Sequence, residues 1–319
     1  MDNRLISKKS IVCLGGGIGT VNLLKGLKTY TTNISTIISM ADNGGSSGRL
    51  RRLYNMIPVG DMISCIAAMS EDEDLIPKLL TYRFEGERYG KDHELGGHKL
   101  GNLIMVALKN LEGNYENAIE QMKKIFNVQG NFLPATEEAV DISAITIDDK
   151  EVFGEEKIDL GKYKGKRILK KVILHPENVK AALNVVDTIL KAEVIVLGPG
   201  DLYTNLLPIL IVPDIKNALK RSTAKKILII NTANKPFETK GYFIEDYLDA
   251  IERHIGDINI NLVLANNNFD EKIPAKYHYT YVKAKNLNDS RIILKNLAKK
   301  DFPIHHDSKK LAKEVVELI

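Results

Sequence analysis

The stretch IVCLGGGIGTVNLLKGL, residues 11–27, runs from an apolar segment through a cluster of glycines into a second apolar segment. A short unbroken apolar run is a strand buried on both faces, and a glycine turn leading into helical spacing completes the strand–turn–helix unit of a parallel sheet. A strand is therefore expected at 11–14 and a helix at 21–27. The rhythm returns along the chain. Strands are expected at 34–40, 193–197, 227–230 and 260–264, and helices at 61–69, 99–111, 117–125, 178–190, 215–219 and 243–255. Between 140 and 172 the pattern changes to short alternating runs, with turn residues at Asp148, Asp149 and Gly154. The expected class is α/β, a mostly parallel sheet with helices on both faces. It forms one domain over 1–319 that carries a small strand-rich insert at 140–172.

Composition sets bounds. The chain has 319 residues, 44% hydrophobic and 27% charged, with a formal net charge of +4. These are ordinary values for a globular protein with a full core. So small a net charge demands neither nucleic acid nor an acidic membrane as partner. The basic stretch KYKGKRILKK, residues 162–171, is either a phosphate patch or a solvated loop leading into a strand. Cys13 and Cys65 are the only cysteines, and they read as reduced core thiols of a cytoplasmic protein. No apolar run approaches the roughly 20 residues that span a bilayer, and the start MDNRLISKKS has no apolar signal core.

In parallel sheets ligands bind beyond the carboxyl ends of the strands, and four loops there are unusual. The first holds Gly15, Gly16, Gly17, Gly19 and Thr20. It either brings bare backbone and a helix N-terminus to a ligand or is a plain turn. Thr20 stands where a dinucleotide fingerprint has its last glycine. The second loop holds Asp42, Asn43, Gly44, Gly45, Ser46, Ser47 and Arg49. Successive N–H groups, two hydroxyls and a guanidinium make an anion cradle beside a carboxylate. Carboxylate and phosphate repel unless ribose hydroxyls or Mg²⁺ intervene. Asp61 raises the same question, unless it is a helix N-cap. Asp42 and Asp61 are the candidate Mg²⁺ ligands, and no other cofactor is required.

The third loop contains His98, Gly101 and Asn102. If a helix starts near His98, imidazole and amide share one face; the alternative is a capping histidine and a structural amide. The fourth, Gly198, Pro199, Gly200, Asp201, Leu202, Tyr203 and Thr204, is again a glycine turn with a helix start.

These segments resemble a known family. GGGIGTVNLLKGLK, ADNGGSSGRLR, PVGDMISC, GGHKLGN, LPAT, LGPGDLYTNLLP and NKPFETKGY follow in the order of the CofD-like superfamily. Over about residues 10–310 the chain is most similar to its bacterial YvcK-type, or gluconeogenesis factor, branch. The resemblance implies a Rossmann-like fold and a nucleotide-diphosphate site built from the four loops, with Glu238 and Thr239 at its rim. It implies binding of a UDP-sugar such as UDP-N-acetylglucosamine, and a regulatory role in cell shape and cell-wall synthesis. A regulatory protein partner and a homo-oligomer are expected. The alternative is the superfamily's other branch, 2-phospho-L-lactate transferase, which moves a phospholactyl group from a guanylated donor onto a deazaflavin with Mg²⁺.

The chain departs from the family pattern in three places. Ile63 and Ser64 replace an Arg-Asn pair, and Asp201 replaces a serine. His305 stands where the bacterial branch tends to carry an arginine associated with the sugar nucleotide; otherwise it belongs to a solvated loop. A transferase would need an apolar, aromatic acceptor pocket. With no Trp and 6% aromatics the chain leans to the regulator, although Tyr82, Phe84, Tyr89 and Tyr203 could line such a pocket.

Overall fold

Ile11–Gly15 (β1) is buried along its whole length, which a strand achieves only with helices on both faces of its sheet. The computed structural model describes residues 8–319. In it β1 pairs in parallel with Ile34–Ile38 (β2), and β2 with Asn131–Pro134 (β3). An insert follows: Asp141–Thr146 (β4) runs antiparallel to Glu151–Phe153 (β5) and Leu169–His175 (β6). The chain then returns to the other side of β1 with Val194–Leu197 (β7) and Lys225–Ile229 (β8). After the short Ala233–Asn234 (β9) come Leu262–Asn266 (β10), Thr280–Tyr281 (β11) and Ile292–Lys295 (β12). The main sheet has the order β12-β10-β8-β7-β1-β2-β3, and its six strand pairs are parallel. The direction of winding reverses between β1 and β7, the place where Rossmann-like sheets open a crevice. The fold is the α/β, Rossmann-like one expected, and the strand-rich insert is present, its last strand running on to His175.

Several elements differ from expectation. The helix expected at 178–190 is only Val185–Lys191. Asn184 in the left-handed region starts it, and the side chains of Glu138 and Asp214 take the N–H groups of Lys180 and Ala181. Of the first loop, Gly17, Gly19 and Thr20 belong to a helix, Gly17–Leu27, while Gly15 ends β1 and Gly16 is the N-cap. The second loop is likewise mostly helix, Gly45–Tyr54. The helix expected at 99–111 is present as Leu100–Glu112, with His98 just before its N-cap. After β7 comes one π-helical turn, Leu202–Leu206. Strands β3 and β12 were not expected; each is only four residues long, at a sheet edge.

The helix Gly17–Leu27 lies against the C-terminal helix Ser308–Leu318. A methyl at Gly26 would meet the Ser308 carbonyl oxygen and come within 2.5 Å of Ala312 Cβ. Two helices this close cannot admit a side chain without moving apart. Gly26→Ala is expected to cost about 1–3 kcal/mol of folding stability. An unchanged urea midpoint would show that the two helices do not need this contact.

Candidate functional site

The exits of β1, β2, β7 and β8 converge on one cleft of about 380 Å³ at the winding reversal. Its first wall is the start of Gly17–Leu27. This N-terminus has no side-chain cap, so its positive dipole end faces the cleft. Gly17 has φ +63°, and a Cβ there would meet nothing nearer than 3.9 Å. Gly19, also on the cleft wall, and Thr20 lock the two exits together. The Thr20 hydroxyl donates to the Pro199 carbonyl at 3.1 Å. A Cβ on Gly19 would come within 2.7 Å of that oxygen, and one on Gly15 would strike Thr20.

Asp61 is not an N-cap. Its helix, Gly60–Ala68, is capped at Val59, and Asp61 sits in the first turn. Its carboxylate crosses the cleft to accept from the Gly17 N–H and from Asn205 Nδ2 at 3.0 Å. A Cβ on Gly16 would lie 2.6 Å from that carboxylate and 2.7 Å from the Asn205 amide, so glycine there makes room for the pair. The other Asn205 atom, Oδ1, is buried with no partner. π-Turns recur at functional sites, and this one presents Asn205 to the cleft. Burial pushes Asp61 up, partly offset by Lys99. The Lys99 ammonium donates to the Gly60 carbonyl and to Ser64 Oγ.

Asp42 also lines the cleft. It accepts from the Gly44 N–H at 2.9 Å. Burial, and then the neighbouring Asp61 charge, push it up to about 6. Gly44 lines the cleft, while Gly45 is covered by Arg88. Ser47 lies beside Asp42, with Gly60 packed on its hydroxyl. Asn43 faces the insert, accepting from the Glu156 N–H and donating to Asp141.

The rest of this segment has a different task from the one its composition suggested. Ser46 Oγ is a buried hub bonded to His98 Nδ1 at 2.9 Å and to Asn102 Nδ2 at 3.0 Å. Imidazole and amide do share a face, but it is turned to Ser46 and not to the cleft. Arg49 is 1% exposed. Its guanidinium donates to the carbonyls of Gly96 at 2.7 Å, Glu87 at 3.4 Å, Lys91 and Glu94. It therefore braces the loop that carries Arg88 and Tyr89, which do line the cleft.

The third wall comes from β7. Gly200 and Asp201 line the cleft, and the Gly200 N–H donates to Asn231 Oδ1. Gly198 and Pro199 support the turn, and Leu202 and Tyr203 are buried in the core. Glu238 and Thr239, expected at the rim, are buried beneath it. Glu238 accepts from Thr204 Oγ1 at 2.8 Å and the Tyr203 N–H at 3.1 Å. Burial raises it to about 7 against the pull of Lys235. The Lys235 ammonium pairs with Asp159, with Asp201 at 2.7 Å and with Glu238 at 3.4 Å. Burial would lower this lysine, but the three carboxylates outweigh it and hold it well above the ordinary value. These carboxylates are close enough to hold a metal ion, and the ammonium already supplies their counter-charge. His305 lines the cleft with its ring against Phe302, and burial lowers its pKa.

The arrangement is an acidic crevice in which the Asp61 carboxylate reaches the first N–H of the Gly17–Leu27 helix. The comparisons with known proteins agree with this architecture. The family described as 2-phospho-L-lactate transferase CofD matches residues 11–319. The chain belongs to the CofD family. Among relatives of this CofD-family chain, the gluconeogenesis factor of Bacillus subtilis is 36% identical over 321 residues, covering 98% of each chain. That of Halalkalibacterium halodurans is 39% identical over 273 residues, covering 85% of this chain and 82% of its own. A solved structure of a UPF0052 family member from Bacillus halodurans superposes with a TM-score of 0.86 at 33% identity, covering 97% of this chain and 99% of its own.

Sequence reasoning passed over Arg88, Glu155, Asp159, Asn205, Asn231 and Lys235, all on the cleft wall. Asn205 and Lys235 lay inside quoted motifs and could have been found there. Arg88 and Glu155 carry no local signal.

Two outcomes follow. Arg49→Ala removes a buried guanidinium and the donor of four partly buried carbonyls and is expected to cost about 1–3 kcal/mol of folding stability; an unchanged denaturation midpoint would overturn this bracing role. Asp42 has a folded pKa raised above its unfolded value of roughly 3.9. Its contribution to stability is therefore complete below about pH 4 and lost as pH rises through about 6. Without divalent cations, Asp42→Asn should add about 1–3 kcal/mol near neutral pH and flatten the profile across that window.

Proposed function

We propose that this chain is a nucleotide-sugar-binding regulatory protein of the gluconeogenesis factor type, taking a UDP-sugar such as UDP-N-acetylglucosamine. Its output is the control of cell shape and cell-wall synthesis through a protein partner. The observation that carries the reading is the meeting of the glycine-bounded Gly17–Leu27 N-terminus with the Asp42 and Asp61 carboxylates at the winding reversal. A diphosphate suits the helix end, and a divalent cation reconciles it with the carboxylates. The residues fit Mg²⁺: two carboxylates raised by burial, Asp42 also by the charge of Asp61 and Asp61 by that of Asp201, and the partnerless Asn205 Oδ1 beside Asp61. Bound there, Mg²⁺ would neutralise the diphosphate. Relatives named gluconeogenesis factor support the regulatory role.

The description of the matching family favours a second reading, phospholactyl transfer from a guanylated donor to a deazaflavin. Of the four aromatic residues expected for such an acceptor pocket, Tyr89 lines the cleft, whereas Tyr82 and Phe84 meet edge to face and Tyr203 is buried; Tyr279 is a further aromatic on the cleft wall. Two tyrosines in a cleft otherwise lined by glycines and polar groups lean to the regulator.

Calorimetry with UDP-N-acetylglucosamine and with GDP, each with and without Mg²⁺, separates the readings. The regulator predicts Mg²⁺-dependent UDP-sugar binding, weakened about ten- to a hundredfold by Asp61→Asn. Preference for GDP would favour the transferase, and binding of neither would remove both. Protons compete with Mg²⁺ for Asp42, so affinity should fall as pH drops below about 6.

His305 predicts the opposite slope above neutrality. Its lowered pKa leaves it neutral when free, and a diphosphate beside it favours the charged form. Affinity should fall as pH rises through the ligand-bound pKa. His305→Arg should strengthen binding near pH 8 and remove that slope. An unaltered profile would place His305 outside the ligand's reach.

A further inference from the structure

Behind the cleft lies a second cavity of about 790 Å³, between β6 and the helices Pro213–Arg221 and Ile244–Ile255. Its apolar surface comes from Val172, Ile173, Leu174 and Ile211, and its rim carries Lys170, Lys171, Lys216 and Arg253 against the single acid Glu177. Tyr203 separates it from the cleft. That ring packs on His254 at 5.9 Å, while the neighbouring Thr204 and Asn205 line the cleft.

The positive charge is uncompensated. Lys170 pairs with Asp149. Among the described residues, Lys171, Lys216 and Arg253 form no ion pair; Lys216 reaches only the His254 carbonyl at 3.4 Å. His254 adds no charge. Its Nδ1 donates to the Ala250 carbonyl at 2.6 Å, and its Nε2 accepts the Val172 N–H at 3.0 Å, so the ring is held neutral by its partners. Cations left without counter-ions around an apolar hollow are complementary to one chemistry, an anionic head on an apolar body. The size lies within the range of small-molecule sites, about 300–1,000 Å³. The end of the basic stretch 162–171 thus acquires a place: Lys170 and Lys171 stand at the mouth of this cavity.

We propose that this cavity is a second ligand site, for a small anionic amphiphile bearing a carboxylate or phosphate head. The head sits among Lys171, Lys216 and Arg253, and the body lies on Ile173 and Ile211. The site is independent of the nucleotide-sugar reading.

The probes are decanoate and decyl phosphate below their micelle concentrations, titrated calorimetrically into the whole chain. The expected result is one site per chain, with the tighter probe identifying the head group. Lys171→Glu/Lys216→Glu should weaken it at least about tenfold. Lys272→Glu/Lys300→Glu, equal in charge change but remote, should not. Ile211→Glu should abolish binding, and neutral decanamide should not bind. Circular dichroism checks that each variant is folded. Absence of binding by both probes, equal affinity in the Lys171/Lys216 variant, an equal loss in the remote pair, or decanamide binding as well as decanoate would each overturn the site.

Discussion

The contact between the exits of β1 and β7 is the constraint on which the rest depends. These neighbouring strands send their chains in opposite directions around the sheet, so a gap must open above them. Gly19 and the Thr20 hydroxyl close its floor against the Pro199 carbonyl. Gly16 then leaves space above the floor for the Asp61–Asn205 pair. A side chain at Gly19 would pry the exits apart, and one at Gly16 would expel the carboxylate. The glycines are thus placed by packing between loops as much as by ligand access. Only Gly17, in the left-handed region with open space before it, is bare towards the cleft.

Charge is distributed around this floor in two layers. At the surface, Asp42 and Asp61 face each other with their ordinary acidity weakened, a state that any approaching cation would relieve. Beneath and beside them, Asp159, Asp201 and Glu238 already surround the Lys235 ammonium. The lower layer is self-neutralising and joins three parts of the chain: the insert through Asp159, the β7 exit through Asp201 and the loop after β9 through Lys235 and Glu238. The upper layer has Lys99 and Arg88 near its carboxylates, but neither forms an ion pair with them. That asymmetry supports the proposed ligand site at Asp42 and Asp61.

The sheet was legible because a strand buried on both faces must be apolar throughout, and five such runs stood out. Edge strands β3 and β12 are short and half-covered, so their signal is weak. The loops rich in glycine were legible as special places, but the roles of their polar residues were not. Arg49 has the composition of an anion ligand and the environment of a brace. What decides between them is the loop 87–96 wrapping its guanidinium with carbonyls, a tertiary fact that no local pattern encodes. Ser46, His98 and Asn102 were rightly associated with one another, yet their meeting point is internal. Glu238 is likewise hidden because Thr204 and the Tyr203 amide draw it under the π-turn.

The departures from the family pattern divide along the same line. Ile63 is in the core, and Ser64 bonds the Gly60 carbonyl and Lys99, so this pair of replacements changes the support of Asp61 without itself lining the cleft. Asp201 and His305 do line it. The first puts a carboxylate where the pattern has a neutral serine. The second puts an imidazole of lowered pKa where the bacterial branch tends to have a permanent cation. Both changes make the wall more negative. Lys235 absorbs the first through its 2.7 Å contact with Asp201. The second leaves Lys299 as the cation near His305, with Arg88 elsewhere on the cleft wall, braced from behind by Arg49. The cleft therefore carries less fixed positive charge than the family pattern would give it. A polyanion of the kind proposed would lean correspondingly more on a cation bound with it.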